Sequence, residues 1–144
     1  MKRWSFDLIK GIRCDIIKNI KDYSLNFKGV FDTVILFGSI ARNEYNEKSD
    51  IDILITSNNM TSTQLVRSKE YMEFILGLYR LVDESIEFDI VSFGRNELRG
   101  FKDSLLYQQI MKDGVVFYDK EADVTVLNDP PKMVHCSTKN SLVC

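Results

Sequence analysis

The residues best suited to chemistry lie between positions 38 and 52. Gly38-Ser39 is followed, after ten residues, by Asp50-Ile51-Asp52. In a strand, Asp50 and Asp52 project from the same face, and neighbouring carboxylates repel each other unless a cation lies between them. A hard divalent cation prefers oxygen ligands and binds phosphate chains as well. The pattern therefore predicts phosphoryl or nucleotidyl transfer.

The turn at Gly38 is predicted to hold the phosphates. Glycine lets the backbone approach a phosphate because it has no Cβ. The Ser39 hydroxyl and the amides of the following helix start can donate to an anion. Arg42, one helical turn beyond Ser39, can add a bidentate contact to a triphosphate. Structural roles also remain open, because Ser39 can cap a helix and Arg42 can be an ordinary surface residue.

A third carboxylate, Asp89, lies in an otherwise apolar strand pattern, Phe88-Asp89-Ile90-Val91. If this strand neighbours the one with Asp50 and Asp52, three carboxylates converge. They can then hold two Mg²⁺ ions for an in-line displacement. Asp89 can also accept the proton of the attacking hydroxyl. Glu87 shares the predicted face of Asp89 and is the competing candidate.

The elements that must position these residues alternate between helices and strands. Apolar residues at steps of three or four predict helices over 4–28, 62–83 and 97–113, with a short helix over 40–45. Thr61 and Asn96 are the predicted N-caps of the second and third long helices, and Gly114 is the predicted stop of the third. Apolar and β-branched runs predict strands over 33–37, 50–56 and 85–92, with an edge strand over 115–118.

This order of elements predicts an α/β layer fold with one sheet. With 144 residues the chain is expected to form one domain. We divide it into an N-terminal amphipathic helix over 1–29, a central domain over 30–119 and a flexible tail over 120–144. The tail holds both prolines and loses the apolar periodicity. The apolar helix stripes, among them Met72, Leu76 and Tyr79, are interpreted as core, with an interface as the alternative for the helix over 4–28.

The bulk composition narrows the class of protein. A net charge of −2 does not favour indiscriminate nucleic-acid binding. The three cysteines, Cys14, Cys136 and Cys144, fit no metal or disulfide framework, which favours a reducing, cytoplasmic setting. No apolar run approaches the ~20 residues that span a bilayer. We therefore expect a cytoplasmic protein that does not bind membranes.

The combination of Gly38-Ser39, ten residues, Asp50-x-Asp52 and a later strand Asp89 resembles the DNA polymerase beta-like nucleotidyltransferase superfamily. It is most similar to the minimal nucleotidyltransferase group, over about residues 30–118. The resemblance implies an α+β domain with a small mixed sheet flanked by helices, two Mg²⁺ ions, and ATP as substrate. Carried over by position, its residues are the nucleotide-binding Gly38, Ser39 and Arg42 and the catalytic, metal-binding Asp50, Asp52 and Asp89.

The resemblance also implies a biological role. Members of this group resemble antitoxins that pair with a HEPN-domain ribonuclease toxin and transfer AMP from ATP to a toxin tyrosine. The chain has no room for the acceptor domains of larger relatives, so we expect a partner or a second copy to complete a homo- or hetero-oligomer. Two alternatives stay open: a small-molecule, aminoglycoside-type nucleotidyltransferase that works as an oligomer, and a non-catalytic toxin-binding module.

Overall fold

Five strands and six helices make up the part of the chain that the structure, a computed structural model, describes: residues 2–3, 14–42, 44, 50–82 and 84–120. The strands are β1 (Lys2–Arg3), β2 (Thr33–Phe37), β3 (Ile51–Ser57), β4 (Phe88–Gly94) and β5 (Val115–Asp119). The helices are α1 (Cys14–Ser24), α2 (Gly38–Ala41), α3 (Ser62–Arg67), α4 (Lys69–Arg80), α5 (Leu98–Lys102) and α6 (Leu105–Asp113), with a 3-10 turn at Leu25–Phe27. Residues 4–13 of the predicted first helix and 121–144 of the predicted tail lie outside the described residues.

The five strands form one mixed sheet in the order β1-β5-β2-β3-β4. Strand β2 runs antiparallel to both β3 and β5, whereas β3 pairs with β4, and β1 with β5, in parallel. Helices cover both faces, which confirms the predicted α+β class. The strand predicted at the edge, β5, instead lies between β1 and β2, because the two residues of β1 pair with Val115 and Val116.

The pleat of β3 divides the core in two. Ile51, Ile53 and Ile55 enter the larger hydrophobic cluster, where residues of α1, α3 and α4 cover the sheet. Leu54 points to the opposite face and enters a smaller cluster with Phe101 of α5 and Ile110 of α6. Successive side chains in a strand alternate between faces, so this division follows directly from the sequence. The predicted facing of β3 is confirmed.

Two long predicted helices are each broken in two by a serine. The helix predicted over 62–83 stops at Ser68, which has an extended backbone (φ −70°, ψ 150°) and accepts a hydrogen bond from the Tyr71 amide at 3.1 Å. The helix predicted over 97–113 breaks before Ser104, whose hydroxyl accepts from the Tyr107 amide at 3.2 Å. A serine hydroxyl satisfies a free amide at a new helix start. Uninterrupted helices were therefore the wrong prediction.

The predicted caps have mixed outcomes. Thr61 forms the expected capping box with Gln64, at 3.2 Å and 2.9 Å. Asn96 does not cap α5; its side-chain oxygen accepts from the Ser62 amide at 2.8 Å, at the start of α3. The cause is tertiary, because the end of β4 lies against that helix start, where the Gly94 amide donates to the Ser62 hydroxyl at 2.8 Å. Gly114 follows α6 as predicted, and its amide donates to the Ile110 carbonyl.

The bounds of two strands and of α2 also shift. Pairing between β3 and β4 starts with Ile51 beside Phe88 and ends with Ser57 beside Gly94, so the strands begin later than the predicted 50–56 and 85–92. Helix α2 begins at Gly38 itself and ends at Ala41, not over 40–45. Among the described residues, no helix is long and apolar enough to cross a membrane.

The interpretation of every apolar helix stripe as core was wrong for α4. Met72, Leu76 and Tyr79 are 55%, 49% and 42% exposed. The face of α4 that packs on the sheet instead contains Phe74, Gly77 and Leu78. Leu105 of α6, an apolar residue of the helix predicted over 97–113, is likewise exposed.

Candidate active site

The structure brings two of the predicted carboxylates side by side. Asp52 of β3 and Asp89 of β4 are partners in the parallel register, so they lie on the same face of the sheet. On its other side Asp52 pairs with Phe37, the last residue before Gly38. Asp50 immediately precedes β3 and is exposed. The end of β2 and the starts of β3 and β4 thus meet at one end of the sheet. We call this end, with Asp50, Asp52 and Asp89, the carboxylate edge.

The electrostatics of this edge centre on Asp52. Burial, the negative charges of Asp89 and Asp50 and a hydrogen bond with Asp89 together raise the pKa of the Asp52 carboxyl to about 6. The positive charge of Arg42 acts in the opposite direction. The three carboxylates and Arg42 are therefore close enough to influence one another. Without a cation, Asp52 holds its proton more tightly than an isolated aspartate does.

Gly38 connects the turn to the carboxylates. Its φ of +76° lies in the left-handed region, which side chains rarely adopt. A Cβ at this position would also collide with Oδ2 of Asp52. Glycine is therefore required here both by the backbone and by the close approach of the Asp52 carboxylate. The spacing in the sequence predicted the turn but not this contact.

Ser39 and Arg42 occupy the short helix and its end. The N-cap position of α2 belongs to Phe37, without a side-chain hydrogen bond, so Ser39 is not the cap. Ser39 is half-buried, and its carbonyl accepts from the Glu44 amide at 2.9 Å. The Arg42 Nε donates to Glu44 Oε1 at 3.1 Å. Glu44, for which the sequence predicts no role, is thus the ion-pair partner of Arg42, and the guanidinium lies close enough to Asp52 to lower its pKa.

The register also separates Asp89 from its competitor. Glu87 is exposed and precedes β4, where its carbonyl accepts from the Ile51 amide at 2.9 Å. The groups that shift the pKa of Asp52 include Asp89 but not Glu87. Of the two acids, Asp89 is therefore the one placed to act together with Asp52.

The donor chemistry of the pair fits Mg²⁺. Among the described residues, no three Asp, Glu, His or Cys side chains are grouped to hold a metal ion by themselves. Mg²⁺ is usually held by one or two carboxylates, with substrate phosphates and waters completing its oxygen ligands. Asp52 and Asp89 offer two carboxylates whose mutual repulsion a cation would relieve. Joint binding of two ions by Asp50, Asp52 and Asp89 stays a prediction.

The comparison with protein families identifies the class. Residues 13–121 match the family model described as a nucleotidyltransferase domain, which is most of the chain. The chain therefore belongs to the nucleotidyltransferase domain family, and the protein is a nucleotidyltransferase. This confirms the resemblance drawn from Gly38-Ser39 and the aspartates.

Individual proteins are also similar to this chain. One, from Methanocaldococcus jannaschii, is named a putative protein adenylyltransferase; it is 38% identical over 78 residues, which cover 54% of this chain and 71% of the relative. Another is the crystal structure of a putative nucleotidyltransferase from Sulfolobus solfataricus. It has a TM-score of 0.40 and 21% identity, and the match covers 78% of this chain and 92% of that one.

Proposed function

We propose that this nucleotidyltransferase is a Mg²⁺-dependent adenylyltransferase that transfers AMP from ATP to a tyrosine hydroxyl of a partner protein. The observation that carries the proposal is the in-register pair of Asp52 and Asp89 beside the left-handed turn at Gly38. The name of the Methanocaldococcus relative supports a protein as acceptor. The partner we propose is a HEPN-type toxin, on the basis of the resemblance to the minimal nucleotidyltransferase group. The protein would then act as a cytoplasmic antitoxin.

In the proposed reaction, the acceptor oxygen attacks the α-phosphorus of ATP, the bond to the β-phosphate oxygen breaks, and pyrophosphate leaves. Asp89 is exposed and takes the hydroxyl proton, because the acceptor can approach its carboxylate from solvent. Asp52, half-buried and against Gly38, is fixed in place. Mg²⁺, when bound at this pair, neutralises phosphate charge and favours ionisation of the hydroxyl.

The nucleotide phosphates are assigned to the turn. The Ser39 hydroxyl can donate to a phosphate oxygen, and the Arg42 guanidinium can donate two parallel hydrogen bonds. The ion pair with Glu44 is exposed, so it is weak enough for phosphate to compete for Arg42. Because Gly38 has no Cβ, the triphosphate can pass close to the backbone beside Asp52.

A protein acceptor is consistent with the position of Asp89. Strand β4 is the last strand of the sheet in the described part of the chain, with β3 as its neighbour on one side. Asp89 lies near the start of this strand and is exposed. A bulky acceptor can therefore approach the carboxylate from the outer side of the sheet.

The test compares two acids of the same neighbourhood. The protein is incubated with the candidate toxin, ATP and Mg²⁺, and the mass of the toxin is measured for added AMP. Asp89→Asn should lower the transfer rate by about 100-fold or more, the usual size of a general-base contribution. Glu87→Gln, two residues away, is the matched control and should keep the rate of the unchanged protein. Removal of Mg²⁺ with EDTA should abolish transfer.

Several outcomes would contradict the proposal. Asp89→Asn with an unchanged transfer rate would remove Asp89 from the reaction. A toxin that is neutralised but never modified would favour the non-catalytic binding module. Transfer of AMP to an aminoglycoside and not to protein would favour the small-molecule enzyme.

A further inference from the structure

Two helices cover the same face of the sheet but differ on their outer sides. Both α1 and α4 contribute to the larger hydrophobic cluster. The outer side of α1 presents the exposed polar residues Asp15, Asn19 and Asp22. The outer side of α4 presents Met72, Leu76 and Tyr79, spaced four and three residues apart and each more than 40% exposed. We call these three residues the α4 stripe.

The α4 stripe is a continuous apolar surface. Residues at these spacings lie along one side of a helix. The Tyr79 ring extends the surface to Phe88 at the start of β4, with ring centroids 5.0 Å apart. Single exposed apolar residues are normal on a protein surface, whereas contiguous ones mark an interaction site.

The charges beside the stripe indicate what covers it. Lys69, Glu73 and Arg80 follow one flank of α4, and the exposed Glu84 follows in the turn after the helix. Lys69 and Glu73 are 85% and 56% exposed and form a loose pair at 3.8 Å. Along the flank the signs within the helix are positive, negative, positive. A second copy of this flank, turned end to end about Leu76 and Gly77, places Glu73 opposite Arg80 and Arg80 opposite Glu73.

In that arrangement Glu73 of each copy faces Arg80 of the other copy. A two-fold axis requires the same patch on both copies to be complementary to itself, and this flank meets the requirement. In a parallel two-fold arrangement this flank would not meet its own copy, so the ion pairs between Glu73 and Arg80 would not form. The pattern thus favours self-association with one orientation over an unrelated partner.

We propose that the α4 stripe is the interface of a homodimer in which two copies pack α4 against α4 in antiparallel orientation. The stripe lies on the face of the sheet opposite to Asp52 and Asp89, so the dimer leaves both carboxylate edges open. Helix α4 has 12 residues and is about 18 Å long. One helix pair of this length buries less than the roughly 800 Å² per partner of a standard interface, so we expect a micromolar dissociation constant.

Sedimentation velocity of the full chain between roughly 1 and 100 µM tests the proposal, because this range brackets a micromolar constant. The unchanged protein should shift from monomer to dimer across the series. Leu76→Lys should remain monomeric throughout, with the circular dichroism spectrum of the unchanged protein. Leu105→Lys is the matched control, because Leu105 is 80% exposed on α6, outside the stripe. It should dimerise as the unchanged protein does.

A charge exchange tests whether the molecule that covers the α4 stripe is a second copy of this chain and whether its α4 is antiparallel. Arg80→Glu should raise the dissociation constant at least tenfold, because it opposes Glu73 with a like charge at both ends of the interface. Adding Glu73→Arg should restore dimerisation, since both pairs are then reversed. The Tyr23 hydroxyl binds the Glu73 backbone carbonyl at 2.9 Å, so the side-chain change does not remove that bond.

Four results would overturn the proposal. The first is an unchanged protein that stays monomeric up to 100 µM. The second is a dimer that Leu76→Lys leaves intact. The third is a double variant that fails to recover what Arg80→Glu loses. If the cognate toxin binds the unchanged monomer but not Leu76→Lys, the stripe serves another protein and self-association is rejected.

Discussion

The two faces of the sheet are built from the same strands but differ in role: one forms the larger hydrophobic cluster and the other bears the carboxylates. One face, with Ile51, Ile53 and Ile55 of β3, is closed over by α1, α3 and α4. The other face has Leu54 under α5 and α6, but its end with Asp52 and Asp89 remains accessible. Because the pleat sends neighbouring residues to opposite sides, stability and chemistry can lie one residue apart. The stability and the chemistry that depend on β3 should therefore respond separately to substitution.

Asp52→Asn should produce the largest effect, and it should change the transfer rate without lowering stability. In the proposed reaction Asp52 holds the metal, so loss of its charge should lower the transfer rate by about 10³-fold, roughly 4 kcal/mol of barrier. The free energy of unfolding should not fall, because the substitution removes a half-buried charge. Rates of AMP incorporation and urea unfolding curves check both halves. A rate within tenfold of the unchanged enzyme would remove Asp52 from the reaction.

Ile53→Ala should show the reverse. Ile53 is fully buried in the larger cluster, and truncation to alanine costs about 2–5 kcal/mol of stability by lost burial and a residual cavity. The transfer rate per folded molecule should stay within about twofold, because Ile53 faces away from the carboxylates. Urea unfolding and activity at matched folded fractions measure this. An activity loss as large as that of Asp52→Asn would show that the two faces are not separable.

Gly38→Ala should lower both stability and transfer rate, because Gly38 affects the backbone conformation and the position of the Asp52 carboxylate. The left-handed backbone makes the substitution strained, by about 1–3 kcal/mol. The added Cβ also forces the Asp52 carboxylate to move, so the transfer rate should fall together with stability. Gly29→Ala is the matched control, since a Cβ there meets no atom within 4 Å. Equal behaviour of the two variants in unfolding and transfer assays would contradict this role of Gly38.

The smallest expected effect is a pH dependence of stability in the absence of divalent cations. The folded-state pKa of Asp52 is raised from 3.8 to about 6, so the folded protein holds this proton more tightly than the unfolded chain does. The contribution is present below the unfolded pKa and is lost as pH rises from about 4 to 6. Partial exposure reduces its size to about 1 kcal/mol. Unfolding curves with EDTA should show this loss in the unchanged protein relative to Asp52→Asn, and parallel pH profiles would contradict it.

Much of the carboxylate edge could be predicted because the alternation of side chains along a strand is a local property. The facing of Asp52 and Leu54 follows from the pleat, and Asp89 lies beside Asp52 once the two strands pair. Whether those residues hold the metal and nucleotide as predicted is decided by the variants above. The contact between Gly38 and Asp52 could not be predicted, because it depends on the approach of two chain segments in space.

The helices were harder to predict because local signals compete with tertiary ones. Thr61 carries its capping partner Gln64 in the sequence, whereas Ser68 has no such signal and still divides α3 from α4. Asn96 is a good cap that the fold supplies to another helix. Helix α4 is apolar on two sides, so periodicity alone did not tell its buried side, with Phe74, from its outer side, with Leu76.

The contact between Gly38 and the Asp52 carboxylate also constrains how such a site can evolve. Any residue larger than glycine at position 38 meets Asp52, so a change at either position alters which changes the other tolerates. The two positions should therefore show strong epistasis, although 13 residues separate them in the chain. A lineage that abandons catalysis by replacing Asp52 with a smaller residue would release position 38 from its steric restriction. The left-handed backbone conformation at position 38 would still favour glycine.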